Sequence, residues 1–179
     1  MCIRDRHTLE RVVGLDGGRT PLVISSRQHG FLCRREARNA SVEADFILEE
    51  GGRNTAPAIY FAALASDPDD VLLIMPSDHW IDDTDVFSSM VGRAATSCKE
   101  GRWVTFGITP NTPATGYGYI EVEDRNVDVM DVASFTEKPD LANAQSYLGQ
   151  GRFFWNSGIF MVTARSCLQS FHALQPDRC

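Results

Sequence analysis

Lysine is almost missing from this chain of 179 residues. Of 17 basic residues, only Lys99 and Lys138 are lysines. Bases are also outnumbered by 24 acids, for a formal net charge of -7. That balance excludes a nucleic-acid binder built on a broad basic face. It leaves room for a small, local basic site for phosphate. No apolar run approaches the roughly 18 residues that a membrane-spanning helix needs, so no membrane partner is expected. No apolar stretch follows the first six residues, so they do not read as a secretory signal. There is no Cys-x-x-Cys pair. The five cysteines are odd in number and far apart, and the four histidines are scattered. This fits neither a disulfide framework nor a zinc site. A soluble, reduced, cytoplasmic protein is the expectation.

What is present is ordinary globular composition, 43% hydrophobic and 23% charged. A compact chain of this length buries roughly 70% of its unfolded surface, enough for a real core. The opening Met1-Cys2-Ile3-Arg4-Asp5-Arg6 reads as the translation of a sequencing-library adaptor and is set apart as a non-native tail, residues 1–6. The remainder, residues 7–179, reads as one domain.

Strand and helix signals alternate along the chain. Helix patterns cover the stretch ending at Gly14, then Gln28–Asn39, Asn54–Ser66, Asp85–Glu100, Leu141–Gly149 and Ala164–Ala173. In the second of these, Phe31, Leu32 and Arg35 are spaced for a helix face. Asn54 or Thr55 can cap the third, and Pro57 suits its first turn. Strand patterns cover Pro21–Ser25, Asp45–Glu49, Val71–Met75, Arg102–Ile108, Tyr117–Glu123, Val129–Thr136 and Phe153–Val162. The run Val71–Met75 is continuously apolar, the kind buried on both faces of a parallel sheet. The alternation predicts an α/β fold, a Rossmann-like and mostly parallel mixed sheet flanked by helices. In such sheets ligands bind beyond the carboxyl ends of the strands.

Five polar or glycine-bearing breaks fall at or beside those strand ends. Gly51 and Gly52 lead through Arg53, Asn54 and Thr55 into a helix N-terminus, which is either an anion site or a plain capped turn. Asp78, after Val71–Met75, can hold a divalent cation or simply cap a turn. Gly116, Tyr117 and Gly118 alternate glycine with an aromatic, which suits a flat ligand or an ordinary hairpin. Glu137 and Lys138 can take sugar hydroxyls and a phosphate, or form a solvent-facing pair. Asn156 sits in a polar break, Asn-Ser-Gly, within an apolar strand, where it offers an amide to a ligand or forms a bulge. The clustering favours a site for a sugar phosphate or a nucleotide.

Six motifs stand in order along the chain: GRNTAPAI at Gly52–Ile59, PSDHWI at Pro76–Ile81, TFGITP at Thr105–Pro110, TGYGYI at Thr115–Ile120, FTEKPD at Phe135–Asp140 and WNSGIF at Trp155–Phe160. Together they resemble bacterial mannose-1-phosphate guanylyltransferases, the GDP-mannose pyrophosphorylase group of sugar-nucleotide nucleotidyltransferases. The resemblance runs from about Leu9 onward, and residues 7–179 then correspond to part of a nucleotidyltransferase domain.

The resemblance implies the reaction of GTP with mannose 1-phosphate to give GDP-mannose and pyrophosphate, with Mg²⁺ as cofactor. It places Arg53, Asn54 and Thr55 near the guanine nucleotide and makes Asp78 a magnesium ligand. Gly116, Tyr117 and Gly118 contact the mannose side. Glu137 binds sugar hydroxyls, Lys138 pairs with the sugar phosphate, and Asn156 lines the sugar pocket. Asp78 and Lys138 carry the catalytic roles.

The family's glycine-rich triphosphate loop, expected ahead of the helix ending near Gly14, is not matched by Gly17-Gly18-Arg19. A second metal-binding aspartate and the C-terminal isomerase domain of many members are not visible either. The expectation is a domain cut at both ends and inactive as it stands. A noncatalytic relative that only binds a sugar nucleotide, or an enzyme for another sugar phosphate, is the alternative. The sequence leaves a homo-oligomer open.

Overall fold

A computed structural model describes residues 3–51, 55–124 and 127–174, with only the backbone described for residues 3–5. The elements run α1 (Ile3–Val13), β1 (Leu22–Ser26), α2 (Gly30–Asn39), β2 (Asp45–Glu49), α3 (Thr55–Leu64), β3 (Val71–Ile74) and α4 (Thr84–Lys99). They continue with β4 (Val104–Ile108), β5 (Tyr119–Val122), β6 (Val132–Thr136), α5 (Leu141–Gln150), β7 (Phe153–Thr163) and α6 (Ala164–Leu174). The α/β class expected from the alternation is the one observed. Helix α1 begins at Ile3, inside the stretch read as an adaptor-like tail.

Local chemistry explains the boundaries. Asp83 caps α4, its side chain accepting from the Val86 N–H, and Gly101 at φ +86° lies just past the helix end. Asp140 caps α5 in the same way, accepting from the Asn143 N–H at 2.8 Å. The left-handed Gly151 closes that helix.

The chain divides into two compact units. One takes up the residues as far as Val104 together with those from Met161 on; the other is Thr105–Phe160. In the first unit β1 and β2 pair in parallel, Leu22 opposite Asp45 through Ser26 opposite Glu49. Its core gathers Ile59 and Ala63 of α3, Val162 at the end of β7, and Ala164 and Cys167 of α6, with Leu72 and Ile74 of β3 against them.

Two details of the first unit differ from the sequence reading. Strand β3 is half-buried throughout, not covered on both faces. It lines a cavity of about 1920 Å³ together with β1, α3 and α4. In α2 the buried face is Gly30, Cys33, Glu36 and Ala37, while Phe31 is exposed. Gly30 sets that face. A Cβ there would stand 2.8 Å from the Leu48 side chain of β2, so the bare glycine lets the helix lie against the strand.

Burial in the first unit also fixes thiol chemistry. Cys98 and Cys167 have no exposed surface, and burial pushes both thiols up to about 11. At pH 8 a thiol reagent is expected to leave both unmodified in the folded chain and to label both in denaturant. Their unperturbed value is 9.0. Unfolded thiols therefore lose their protons before the buried ones do. Stability falls as pH climbs from about 9 towards 11, which a pH series of thermal unfolding would show.

In the second unit β5 is antiparallel to both neighbours. Tyr119 stands opposite Thr136 of β6 and opposite Trp155 of β7. Tyr119 is fully buried, packs with Ala144 and Phe153, and donates from its hydroxyl to the Ala114 carbonyl at 2.9 Å. Strand β7 runs unbroken through the Asn-Ser-Gly segment. Gly158, at φ +71°, absorbs the local distortion.

Candidate functional site

The register of β5 decides what meets in the second unit. Because Tyr119 faces both Thr136 and Trp155, the residues just before β5 share one end of the sheet with those just after β6 and with Asn156. The Asn156 N–H donates to the Gly118 carbonyl at 2.7 Å. A Cβ on Gly118 would lie 2.7 Å from Phe135 Cζ and 2.9 Å from Glu137 Oε2, so only glycine allows this approach. The Tyr117 ring sits beside Trp155, centroids 5.1 Å apart. Gly118, Glu137 and Asn156, scattered over 39 positions of sequence, thus form one cluster, with Gly116, Tyr117 and Lys138 adjoining them in the chain.

Two side chains in this cluster are unusually constrained. Lys138 is a non-glycine residue at φ +43°, a left-handed conformation costing roughly 1–2 kcal/mol. Its Nζ lies 3.2 Å from Glu137 Oε1, and both side chains are more than half exposed. Such a pair contributes little by itself, so it does not account for the strain. Asn156 is held by its oxygen. Oδ1 accepts from the Gly158 N–H at 3.2 Å and lies 3.1 Å from the Thr105 hydroxyl, whose one proton it shares with the Ile159 carbonyl at 3.2 Å. Among the described residues that leaves the side-chain NH₂ as the group free to donate. The sequence reading missed Thr105 as the residue that orients Asn156. The only sequence signal was its place in the TFGITP motif.

Thr55 and Asp78 lie in the first unit. Thr55 is exposed at the start of α3. Arg53 and Asn54, expected near the nucleotide, fall outside the described residues. Asp78 follows β3 in an exposed turn, and its carboxylate has no hydrogen-bond or ion-pair partner among the described residues. Helix α1 braces this turn on both sides. The Thr8 hydroxyl donates to the Ser77 carbonyl at 3.0 Å, and Arg11 Nη2 donates to the His79 carbonyl at 3.4 Å. The His7 ring meets Trp80 edge-on at 5.1 Å. The sequence carried no local signal for these contacts.

Among the described residues no three His, Cys, Asp or Glu side chains gather as a metal cluster. Magnesium needs less, since it typically takes one or two protein carboxylates and fills its shell with phosphate and water oxygens. One exposed carboxylate at Asp78, unpaired among the described residues, fits that donor set.

A sequence profile of the nucleotidyl transferase family matches residues 6–177. The chain belongs to that family. Among curated relatives, the mannose-1-phosphate guanylyltransferase of Escherichia coli K12 is 41% identical over 169 residues, covering 88% of this chain and 35% of that protein. The xanthan biosynthesis protein XanB of Xanthomonas campestris is 42% identical over 166 residues, 89% of this chain and 35% of that protein. This nucleotidyl transferase chain therefore spans about a third of the length of the relatives it matches. Among solved structures, one titled mannose-6-phosphate isomerase, from Helicobacter pylori, superposes with a TM-score of 0.87 at 32% identity. It is matched over 97% of this chain and 66% of its own. A Thermus thermophilus structure titled mannose-1-phosphate geranyltransferase gives 0.83 at 27% identity, covering 98% of this chain and 51% of that one. No helix among the described residues of this nucleotidyl transferase chain is long and apolar enough to cross a membrane.

Proposed function

We propose that these residues form part of a cytoplasmic enzyme that makes GDP-mannose and pyrophosphate from GTP and mannose 1-phosphate. Family membership and the relatives' names support the reaction class. The observation that carries the sugar side is the cluster of Gly118, Glu137, Lys138 and Asn156 at one end of the second unit's sheet.

In this reading a phosphate oxygen of mannose 1-phosphate attacks the α-phosphorus of GTP. The new P–O bond forms as the bond to pyrophosphate breaks. The nucleophile is already ionised at neutral pH, so the protein supplies no strong base. Its residues contribute positioning and charge neutralisation. Lys138 neutralises the sugar phosphate. Glu137 accepts from two sugar hydroxyls, and the Asn156 NH₂, aimed by Thr105, donates to a sugar oxygen. The bare Gly118 backbone keeps room for the sugar ring, with Gly116 and Tyr117 beside it. Arg53, Asn54 and Thr55 serve the guanine nucleotide. Asp78 would hold Mg²⁺, which when bound offsets charge on the triphosphate.

The strain at Lys138 gives a direct test. Lys138→Gly relieves the left-handed backbone and is expected to raise stability by about 1 kcal/mol. The same change removes the charge that meets the phosphate. Calorimetry is expected to show affinity for mannose 1-phosphate falling roughly 10-fold or more. A variant that is more stable and binds as well as the unchanged protein would remove Lys138 from the site.

A further inference from the structure

Asp78 sits in an exposed turn, yet the turn is tied down from behind. His7, Thr8 and Arg11 occupy one face of α1, at spacings of one and three residues. They meet the residues on either side of Asp78: Ser77 before it, His79 and Trp80 after it. Thr8 and Arg11 are 8% and 9% exposed, so the bracing side chains are themselves buried.

Arg11 is an expensive choice for a packing role. Its guanidinium lies over the Phe87 ring at 5.9 Å, and its Nε and Nη1 are buried without a hydrogen-bond partner among the described residues. A buried cation with unpaired donors costs stability that an apolar side chain of similar volume would not. What the arginine does make is the bond to the His79 carbonyl.

We propose that Thr8 and Arg11 are positioning residues for Asp78. By holding the carbonyls before and after it, they fix the turn in the geometry that presents the carboxylate to a divalent cation. Ordering a free turn at the moment of binding costs backbone entropy, and a braced turn has met that cost in advance. The inference rests on the reading of Asp78 as a metal ligand.

The test uses the 179-residue chain and Mn²⁺ alone as the probe. Paramagnetic broadening of the amide resonances of residues 77–79 is titrated in the unchanged chain and in Thr8→Val, Thr8→Ser and Arg11→Met, with thermal unfolding alongside. Thr8→Val and Arg11→Met are expected to raise the Mn²⁺ dissociation constant roughly 3- to 10-fold, the worth of one hydrogen bond. Thr8→Ser keeps the donor and restores affinity. Arg11→Met is expected to be as stable as the unchanged chain or more so, which separates positioning from packing. Equal Mn²⁺ affinity in all four chains overturns the positioning role. No broadening at residues 77–79 in the unchanged chain overturns instead the metal reading on which it rests.

Discussion

Replacing Asp78 by asparagine, in a form that carries the glycine-rich loop ahead of α1, is expected to lower turnover on the order of 10²-fold or more, the usual loss for a key electrostatic group. The substitution keeps size and shape and removes one negative charge. Asp78 is exposed and unpaired among the described residues. The folded state therefore has almost nothing to lose, and the thermal midpoint should stay within about 2 °C, as for surface changes generally. The cost then appears only where the charge is used, at the cation between protein and phosphate. Raising magnesium should recover part of the loss, because the substituted amide still offers a neutral oxygen. Steady-state rates across a magnesium series check this. Turnover that stays unchanged at low magnesium would remove Asp78 from the metal site.

Gly118→Ala is the second large effect, and its size differs sharply between stability and binding. The added methyl would meet Phe135 Cζ at 2.7 Å and Glu137 Oε2 at 2.9 Å. Both are the far ends of side chains that can give, and Phe135 is already 51% exposed. The stability loss should therefore stay near 1 kcal/mol, at the low end of the usual range for overpacking a closed core. Strand β5 cannot slide away, since it is paired on both sides and the Gly118 carbonyl just before it is bonded to Asn156. Glu137 must move instead. A carboxylate displaced from two sugar hydroxyls loses charge-assisted bonds, and kcat/KM for mannose 1-phosphate should fall roughly 10²-fold. Turnover for this substrate that matches the unchanged protein would show that Glu137 does not hold the sugar.

Much of this architecture was legible residue by residue. Pro57 marked a helix start, and the runs Tyr117–Glu123 and Val129–Thr136 marked strands, because those signals act within a few residues; that these strands pair antiparallel was not legible in a pattern read as a mostly parallel sheet. The motif residues Gly118, Glu137 and Asn156 were legible as candidates, and the register of β5 explains why they meet. What escaped depends on contacts distant in sequence. Thr105 reaches Asn156 across 51 positions, and Thr8 reaches Ser77 across 69. The buried face of α2 escaped for a related reason. Phe31 suggested one face by its apolar character, but the close approach of Gly30 to Leu48 selects another. The half-burial of β3 follows from the cavity it lines, which no run of apolar residues announces.

The proposed role of the cluster around Gly118, Glu137, Lys138 and Asn156 is to bind mannose 1-phosphate as acceptor for a guanylyl group. The most direct measurement is pyrophosphate release by a form of the protein carrying the triphosphate loop, with GTP and mannose 1-phosphate, compared with the other nucleoside triphosphates and with glucose 1-phosphate. Release is expected to require both GTP and mannose 1-phosphate and to fall steeply in Glu137→Gln. Tight binding of GDP-mannose without any release of pyrophosphate, or equal release in Glu137→Gln, would contradict it.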